Sequence, residues 1–193
     1  MSKHASDFAG IPVEASDENA LLRAALAEAQ RRIGDLERNS EVDGLTPLPG
    51  GRRFRAELER VVGLAARHGT SAAVVGIELS GLAAIRERHG HFAGDAALVH
   101  VARLLCGLIR STDILARTGD DQFSLILDHL DHNSAIDTAE RLARCIAAHP
   151  LELGHVQVAL ETAVATTGIL PGDAVDDVLA RAQRHLALAR AEA

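Results

Sequence analysis

Aromatic side chains and positive charge are scarce in this chain of 193 residues. It contains no tryptophan, no tyrosine and only four phenylalanines, so it offers few rings on which single-stranded bases could stack. Its 20 Lys and Arg residues are outnumbered by 27 Asp and Glu residues, and the formal net charge is −7. Because nucleic-acid-binding proteins neutralise phosphates with clustered Lys and Arg, we expect no nucleic-acid partner.

Cysteines and long apolar runs are also few. Cys106 and Cys145 are the only cysteines and lie far apart, which excludes a disulfide framework and a paired-cysteine metal or redox motif. Both fall in apolar helical patterns, so we expect buried free thiols in a reducing compartment. The apolar stretches, such as residues 72–77, are much shorter than the roughly 20 residues that cross a bilayer, and residues 1–7 lack the apolar segment of a secretion signal. We therefore expect a cytoplasmic protein with no membrane partner.

The first 42 residues divide into two parts. Residues 1–16 mix Ser, Asp, Gly and Pro without a period, which predicts a disordered tail. In residues 17–42, apolar side chains recur at steps of four and three with Arg and Glu around them: Leu22, Leu26, Ala29, Ile33 and Leu36. This spacing is typical of a coiled-coil seam and predicts an N-terminal amphipathic helix through which two copies form a homodimer. The alternative is a single amphipathic helix that lies on its own domain.

Beyond residue 42 the apolar pattern changes period several times. Steps of three and four predict helices at residues 54–65, 82–88, 95–109, 134–147 and 173–191. Alternating or β-branched runs predict strands at residues 72–79, 113–117, 122–127 and 156–164. A turn at residues 118–121 makes a hairpin of the two middle strands. This order predicts an α+β fold for residues 43–193, with one mixed central sheet flanked by helices.

The hairpin turn contains the residues best suited to chemistry. It has a glycine followed by the carboxylates of Asp120 and Asp121, and such a turn can hold a divalent cation near a phosphate. Glu78 lies near the end of the strand predicted at residues 72–79, which we expect beside the hairpin. Two carboxylates at neighbouring strand ends form a minimal site for metal-assisted phosphoryl transfer. The alternative is an acidic turn that is only solvated.

Several segments in the right order resemble the GGDEF-domain family, the diguanylate cyclases, from residue 43 to about residue 191. Residues 43–54 are similar to the family pattern D-x-L-T-G-L-P-N-R-R-x-F, and residues 89–98 are similar to F-G-H-x-x-G-D-x-x-L. The sequence Gly-Asp-Asp-Gln-Phe at residues 119–123 stands in the place of the signature, and residues 180–190 resemble A-D-x-A-x-Y-x-A-K. The resemblance implies a palm-like fold, similar to nucleotidyl cyclases and polymerases, with a five-stranded sheet. It also implies an enzyme that uses Mg²⁺ and condenses two GTP molecules into cyclic di-GMP across a dimer of domains.

The positions that the family uses for metal and phosphate are changed in this sequence. The resemblance gives Glu78 in place of the first metal-binding aspartate, whereas Asp121 keeps the metal-ligand position of the signature. Asp120 replaces the second glycine of the signature, where a carboxylate adds bulk and repulsion beside the nucleotide phosphates. Gln122 replaces the last acid. These degenerate positions predict a distorted metal site.

The resemblance also implies contacts to the nucleotide. Asp95 keeps one of the two guanine-reading positions, but Arg86 replaces the asparagine at the other and offers only donors where an acceptor and a donor are needed. Gly119 keeps the first glycine of the signature, and Arg190 stands where a phosphate-binding lysine is usual. Because the loss of one preorganised contact costs about 10²–10³ in rate, we expect little or no cyclase activity and at most weak binding of GTP with Mg²⁺.

One further motif of the family is kept. Arg110 and Asp113 form an R-x-x-D, separated from Gly119 by five residues, and the resemblance implies that this is the inhibitory site for cyclic di-GMP. An arginine fork can donate to guanine O6 and N7 or to phosphate, and an aspartate can accept from guanine N1 and N2. Arg141 matches a family position that completes such a site from a neighbouring domain. The alternative is an arginine and an aspartate that are only solvated.

Together these features predict a degenerate GGDEF domain that acts as a cyclic di-GMP receptor or as a signalling and interaction module, with a protein partner in a signalling pathway. A weakly active diguanylate cyclase is one alternative. A nucleotide-free scaffold for protein–protein interaction is another.

Overall fold

The computed structural model describes residues 19–26, 28–29, 32 and 41–192. The chain divides into two units, residues 1–36 and residues 37–193. In the first unit the described residues are helical, and Leu21, Leu22 and Leu26 are exposed. The predicted tail and the seam positions Ile33 and Leu36 lie outside the described residues.

The described part of the second unit begins at Glu41 with a short loop. Glu41 and Val42, which were predicted to belong to the N-terminal helix, are not helical. Val42 forms an isolated antiparallel bridge with Pro49, and the backbone N–H of Gly50 donates to the carbonyl of Glu41. This loop leads directly into the first helix of the unit.

Residues 51–192 form five helices and six strands. The helices are α1 (Gly51–His68), α2 (Leu82–His89), α3 (His91–Leu108), α4 (His132–Ala148) and α5 (Val175–Glu192). The strands are β1 (Ala72–Ser80), β2 (Ile114–Arg117), β3 (Gln122–Asp128), β4 (Leu151–Leu153), β5 (Val156–Val158) and β6 (Glu161–Ile169). No helix in the described part of the chain is long and apolar enough to span a bilayer.

Three elements differ from the sequence prediction. Helix α3 begins at His91 and not at residue 95, because Gly90 takes a positive φ of 89° and separates it from α2 without a longer loop. The strand predicted at residues 156–164 is two strands, β5 and β6, and the three-residue strand β4 was missed. Cys106 is exposed and Cys145 is only half-buried, so the predicted burial of both thiols is wrong.

The main sheet has four strands in the order β2-β3-β1-β6. Every pairing in it is antiparallel, which corrects the expectation of a mixed sheet. Strands β4 and β5 pair only with each other, so the main sheet has one strand fewer than the resemblance implied. The α+β class, with an antiparallel sheet flanked by helices, is confirmed.

Helices cover both faces of β1, the central strand. Ala73, Val75, Ile77 and Leu79 belong to the core formed with α2, α3 and α4, whereas Ala72 and Val74 belong to the core under α1 and α5. Since side chains alternate along a strand, Gly76 and Glu78 face α1 and α5 as well. A Cβ on Gly76 would lie 3.2 Å from Leu186, so α5 lies close over this strand and reaches the site described next.

Candidate functional site

Glu78 is the centre of a polar cluster at the end of β1. Its residue is only 6% exposed, and the sheet register places it directly opposite Gln122 on β3. Gln122 Nε2 donates to one carboxylate oxygen at 2.9 Å, and Arg190 Nη1 lies 3.4 Å from the other oxygen. Both oxygens of this buried carboxylate therefore have a partner from the chain itself.

Asp121 lies beside this cluster at the start of β3. Its backbone carbonyl accepts from the N–H of Leu79 at 2.9 Å, which joins the hairpin turn to the end of β1. Burial raises the pKa of Asp121, and the negative charge of Glu78 raises it further, while Arg190 acts in the opposite direction. A cleft of about 310 Å³ opens here, lined by Glu78, Asp121, Glu161, Arg190 and the turn from Ser80 to Ala83.

The polar cluster is a poor match for Mg²⁺, the metal that the family resemblance implies. Mg²⁺ requires near-octahedral oxygen ligands and is usually held by one or two carboxylates, but both oxygens of Glu78 are already engaged by an amide and a guanidinium. Among the described residues, no group of three or more His, Cys, Asp or Glu side chains is placed to hold a metal ion. The residues present do not fit the ion.

A second arginine engages Asp95, the guanine-reading position that the sequence keeps. Arg86 Nη2 lies 3.5 Å from Asp95 Oδ1. The stem of Arg86 crosses Gly94, where an added Cβ would lie 2.5 Å from Arg86 Cγ, and Arg86 Nε is buried with no partner. Arg86 therefore lies over the backbone of α3 and directs its charge at Asp95.

Arg117 ties the hairpin turn to the first loop of the unit. It forms an ion pair with Asp43 at 2.9 Å, and the two side chains are only 6% and 4% exposed. It also donates to the carbonyl of Asp120 at 2.8 Å. Burial alone would raise the pKa of Asp43, but hydrogen bonds from Thr46 and the charge of Arg117 lower it below its ordinary value. The residues that open the family motif thus fix the position of the signature turn.

The R-x-x-D forms a tight turn between α3 and β2. The backbone N–H of Arg110 donates to Asp113 Oδ2 at 2.9 Å, the N–H of Asp113 donates to the carbonyl of Arg110 at 3.1 Å, and the residue Arg110 is exposed. Arg141 Nη2, from α4, donates to the carbonyl of Leu108 at 3.3 Å. Within the chain, Arg141 therefore contacts the last residue of α3, two positions before Arg110.

A family model described as "Diguanylate cyclase, GGDEF domain" matches residues 40–193. The chain belongs to this GGDEF-domain family. The bifunctional diguanylate cyclase/cyclic di-GMP phosphodiesterase MucR of Pseudomonas aeruginosa is 29% identical over 153 residues, which are 79% of this chain and 22% of MucR. Diguanylate cyclase TpbB of the same organism is 36% identical over 115 residues, which are 58% of this chain and 26% of TpbB. The GGDEF chain thus spans about a quarter of the length of these curated relatives.

Solved structures share the fold of this GGDEF domain. A sensory box/GGDEF family protein from Caulobacter crescentus has a TM-score of 0.74 and 27% identity, over 80% of this chain and 100% of that chain. Diguanylate cyclase SiaD of P. aeruginosa, solved with its activator SiaC, has a TM-score of 0.76 and 24% identity, over 93% of this chain and 67% of that chain. The coiled coil and GGDEF domain of DgcB from C. crescentus, solved with c-di-GMP, has a TM-score of 0.74 and 21% identity, over 93% and 92% of the two chains.

Two groups of residues in this GGDEF domain were predicted from the sequence and lie together in the fold. The first is the cleft group, Glu78, Asp121, Gln122 and Arg190, and the second is the turn pair, Arg110 and Asp113. Arg141 contacts Leu108, two residues before this pair. Asp120 is exposed on the turn, and Gly119 closes it by donating its N–H to the carbonyl of Gln122.

Sequence reasoning missed the arginine pairings. Arg86 was read only as a lost guanine contact and Arg190 only as a phosphate contact, whereas they pair with Asp95 and Glu78. Arg117 was not singled out at all. The signal available for Arg117 was an arginine immediately before an acidic turn.

Proposed function

We propose that this GGDEF domain is a cyclic di-GMP receptor that does not synthesise cyclic di-GMP. The observation that supports the proposal is a contrast between two parts of one domain. The chain's own arginines engage Glu78 in the cleft and Asp95 on α3, whereas the turn with Arg110 and Asp113 is partly open to solvent.

Guanine recognition by Asp95 would have to compete with Arg86. Guanine presents the N1 and N2 hydrogens to an acceptor, and Asp95 already faces the Arg86 guanidinium, which has donors only. Glu78 is engaged by Gln122 and Arg190 in the same way. Since each lost electrostatic contact costs about 10²–10³ in rate, two such losses in one site leave almost no turnover.

The turn between α3 and β2 has the chemistry that cyclic di-GMP needs. Cyclic di-GMP carries two phosphates and two guanines. The guanidinium of Arg110 can donate two hydrogen bonds to a phosphate or to a guanine. The carboxylate of Asp113 is held by the Arg110 backbone, which orients it to accept from guanine. Arg141 adds a second positive charge beside Leu108, two residues before Arg110. DgcB, which shares the fold, was solved with c-di-GMP.

The same proposal includes a homodimer through the N-terminal helix. Leu22 and Leu26 are exposed on the described part of that helix, at the seam positions that a coiled coil would bury. DgcB was solved with its coiled coil, and SiaD was solved with an activator protein. We infer a dimeric receptor that passes its ligand-bound state to a protein partner.

Calorimetric titration with cyclic di-GMP tests the receptor site. Replacement of Arg110 by Ala removes a charge-assisted bidentate donor worth roughly 1.5–3 kcal/mol, so the affinity should fall about 10- to 150-fold. Arg141→Ala should weaken binding as well. Arg103→Ala is the matched control. It removes an exposed arginine on α3 and should bind cyclic di-GMP like the wild type.

Two results would overturn the receptor site. The first is a wild-type protein that gives no heat and no thermal shift with saturating cyclic di-GMP, which would favour the scaffold. The second is binding that survives Arg110→Ala and is lost in Asp121→Ala, which would assign the nucleotide to the cleft.

A further inference from the structure

We propose that the guanidinium of Arg190 occupies the position beside Glu78 where a divalent cation would bind. Its positive charge prevents such ions from binding in the cleft. This inference rests on one part of the proposed function, the absence of cyclic di-GMP synthesis in the cleft. It does not depend on the binding of cyclic di-GMP elsewhere in the domain.

A buried carboxylate needs a compensating charge or several hydrogen bonds. Glu78 is 6% exposed and its neighbours on β1, Ile77 and Leu79, are fully buried apolar residues. Gln122 supplies one hydrogen bond but no charge. Arg190 supplies the positive charge at 3.4 Å, and its guanidinium is the one cationic group that the structure brings against Glu78 in the described part of the chain.

The cleft has more negative charge than Arg190 alone can balance. Glu78, Asp121 and Glu161 line it and carry one negative charge each when ionised, whereas Gln122 carries none. A glutamate at position 122 would add a further negative charge beside Glu78. The glutamine at position 122 therefore keeps the excess of negative charge near Arg190 small.

Arg190 is able to leave the cleft without disturbing the core. Its side chain is 59% exposed, in the last turn of α5, whereas Glu78 is held at 7% exposure by the sheet. This differs from Arg117, whose ion pair with Asp43 is buried on both sides. Removal of Arg190 would leave Glu78 and Asp121 close together without a cation, and such a pair of carboxylates attracts Mg²⁺ or Mn²⁺.

The test is Mn²⁺ binding to the full chain, followed by the spin-resonance signal of free Mn²⁺ and by thermal melting with and without millimolar MnCl₂. The variants are Arg190→Ala, Arg190→Gln, which keeps a hydrogen-bond donor, and Arg190→Ala combined with Gln122→Glu. The control is Arg184→Ala, another exposed arginine of α5. We expect affinity for Mn²⁺ to rise about tenfold or more in the Arg190 variants, and to rise further in the double variant.

The melting temperatures give a second readout. Each Arg190 variant should melt below the wild type without metal and recover when Mn²⁺ is added, whereas the wild type and Arg184→Ala should not respond. Wild-type protein that binds Mn²⁺ as tightly as the Arg190 variants would overturn the inference, and so would a folded double variant that does not bind Mn²⁺. An equal gain in Arg184→Ala would overturn it by showing an effect of net charge alone. Cyclic di-GMP titration of the same variants separates this result from the receptor site, because their affinity for cyclic di-GMP should not change.

Discussion

The ion pair between Asp43 and Arg117 should be the most sensitive electrostatic contact in the domain. Both side chains are nearly inaccessible and their atoms lie 2.9 Å apart. Replacement of Asp43 by Ala would leave the Arg117 charge buried, and breaking a buried pair in this way costs about 3–5 kcal/mol. For a domain of this size each kcal/mol lowers the melting temperature by roughly 2–4 °C, so the variant should melt roughly 6–20 °C below the wild type.

The stability lost in Asp43→Ala should become smaller as the pH falls. Because the pKa of Asp43 is lowered in the folded state from its ordinary value of 3.8, the stabilisation is fully present above that value and is lost as the pH falls through the folded pKa. The difference in unfolding free energy between the wild type and Asp43→Ala should therefore be constant near pH 7 and shrink below about pH 4.

Denaturant unfolding monitored by circular dichroism measures both effects. Asp43→Ala combined with Arg117→Met removes the orphaned charge and should be more stable than Asp43→Ala alone. Glu41→Gln breaks an exposed contact with Arg52 and is the matched control, with an expected change below about 1 kcal/mol. An Asp43→Ala protein as stable as Glu41→Gln would refute the reasoning. The loss of a buried ion pair should lower the stability much more than the loss of an exposed one.

Two further predictions concern the guanine position and the dimer. Arg86→Ala should expose Asp95 and raise the affinity for GTP in calorimetric titration, and an unchanged affinity would mean that Arg86 does not block guanine. Leu22→Asp combined with Leu26→Asp should convert the dimer to a monomer in light scattering, whereas Leu21→Asp, which changes an exposed leucine outside the seam, should not. Equal dissociation by Leu21→Asp would contradict the seam.

The elements that the sequence predicted well are those with long and regular apolar patterns. Strand β1 was evident because eight of its nine residues are buried and the six residues at its start, 72–77, form a continuous apolar run. The start of α3 was missed because Gly94 lowers helix propensity, although in the fold this glycine makes room for Arg86. Strands β4 and β5 have three residues each, too few for an alternating pattern to be recognised.

The sequence predicted which residues belong to the site better than it predicted the contacts between them. The neighbourhood of Glu78 and the hairpin followed from strand order, since β1 and β3 pair in register. The pairing of Arg190 with Glu78 joins residues 112 positions apart, and it depends on how α5 crosses β1. No local pattern contains that information. The Arg86–Asp95 pair is closer in sequence, but it depends on the turn at Gly90 that brings α2 against α3.

The proposed function requires that the chain leaves GTP unchanged. The most direct measurement is chromatographic analysis of the nucleotides after prolonged incubation of the wild-type chain with GTP and Mg²⁺. The account predicts that GTP is recovered and that no cyclic di-GMP accumulates beyond the amount of protein present. Formation of cyclic di-GMP over many turnovers, abolished by Asp121→Ala, would contradict it.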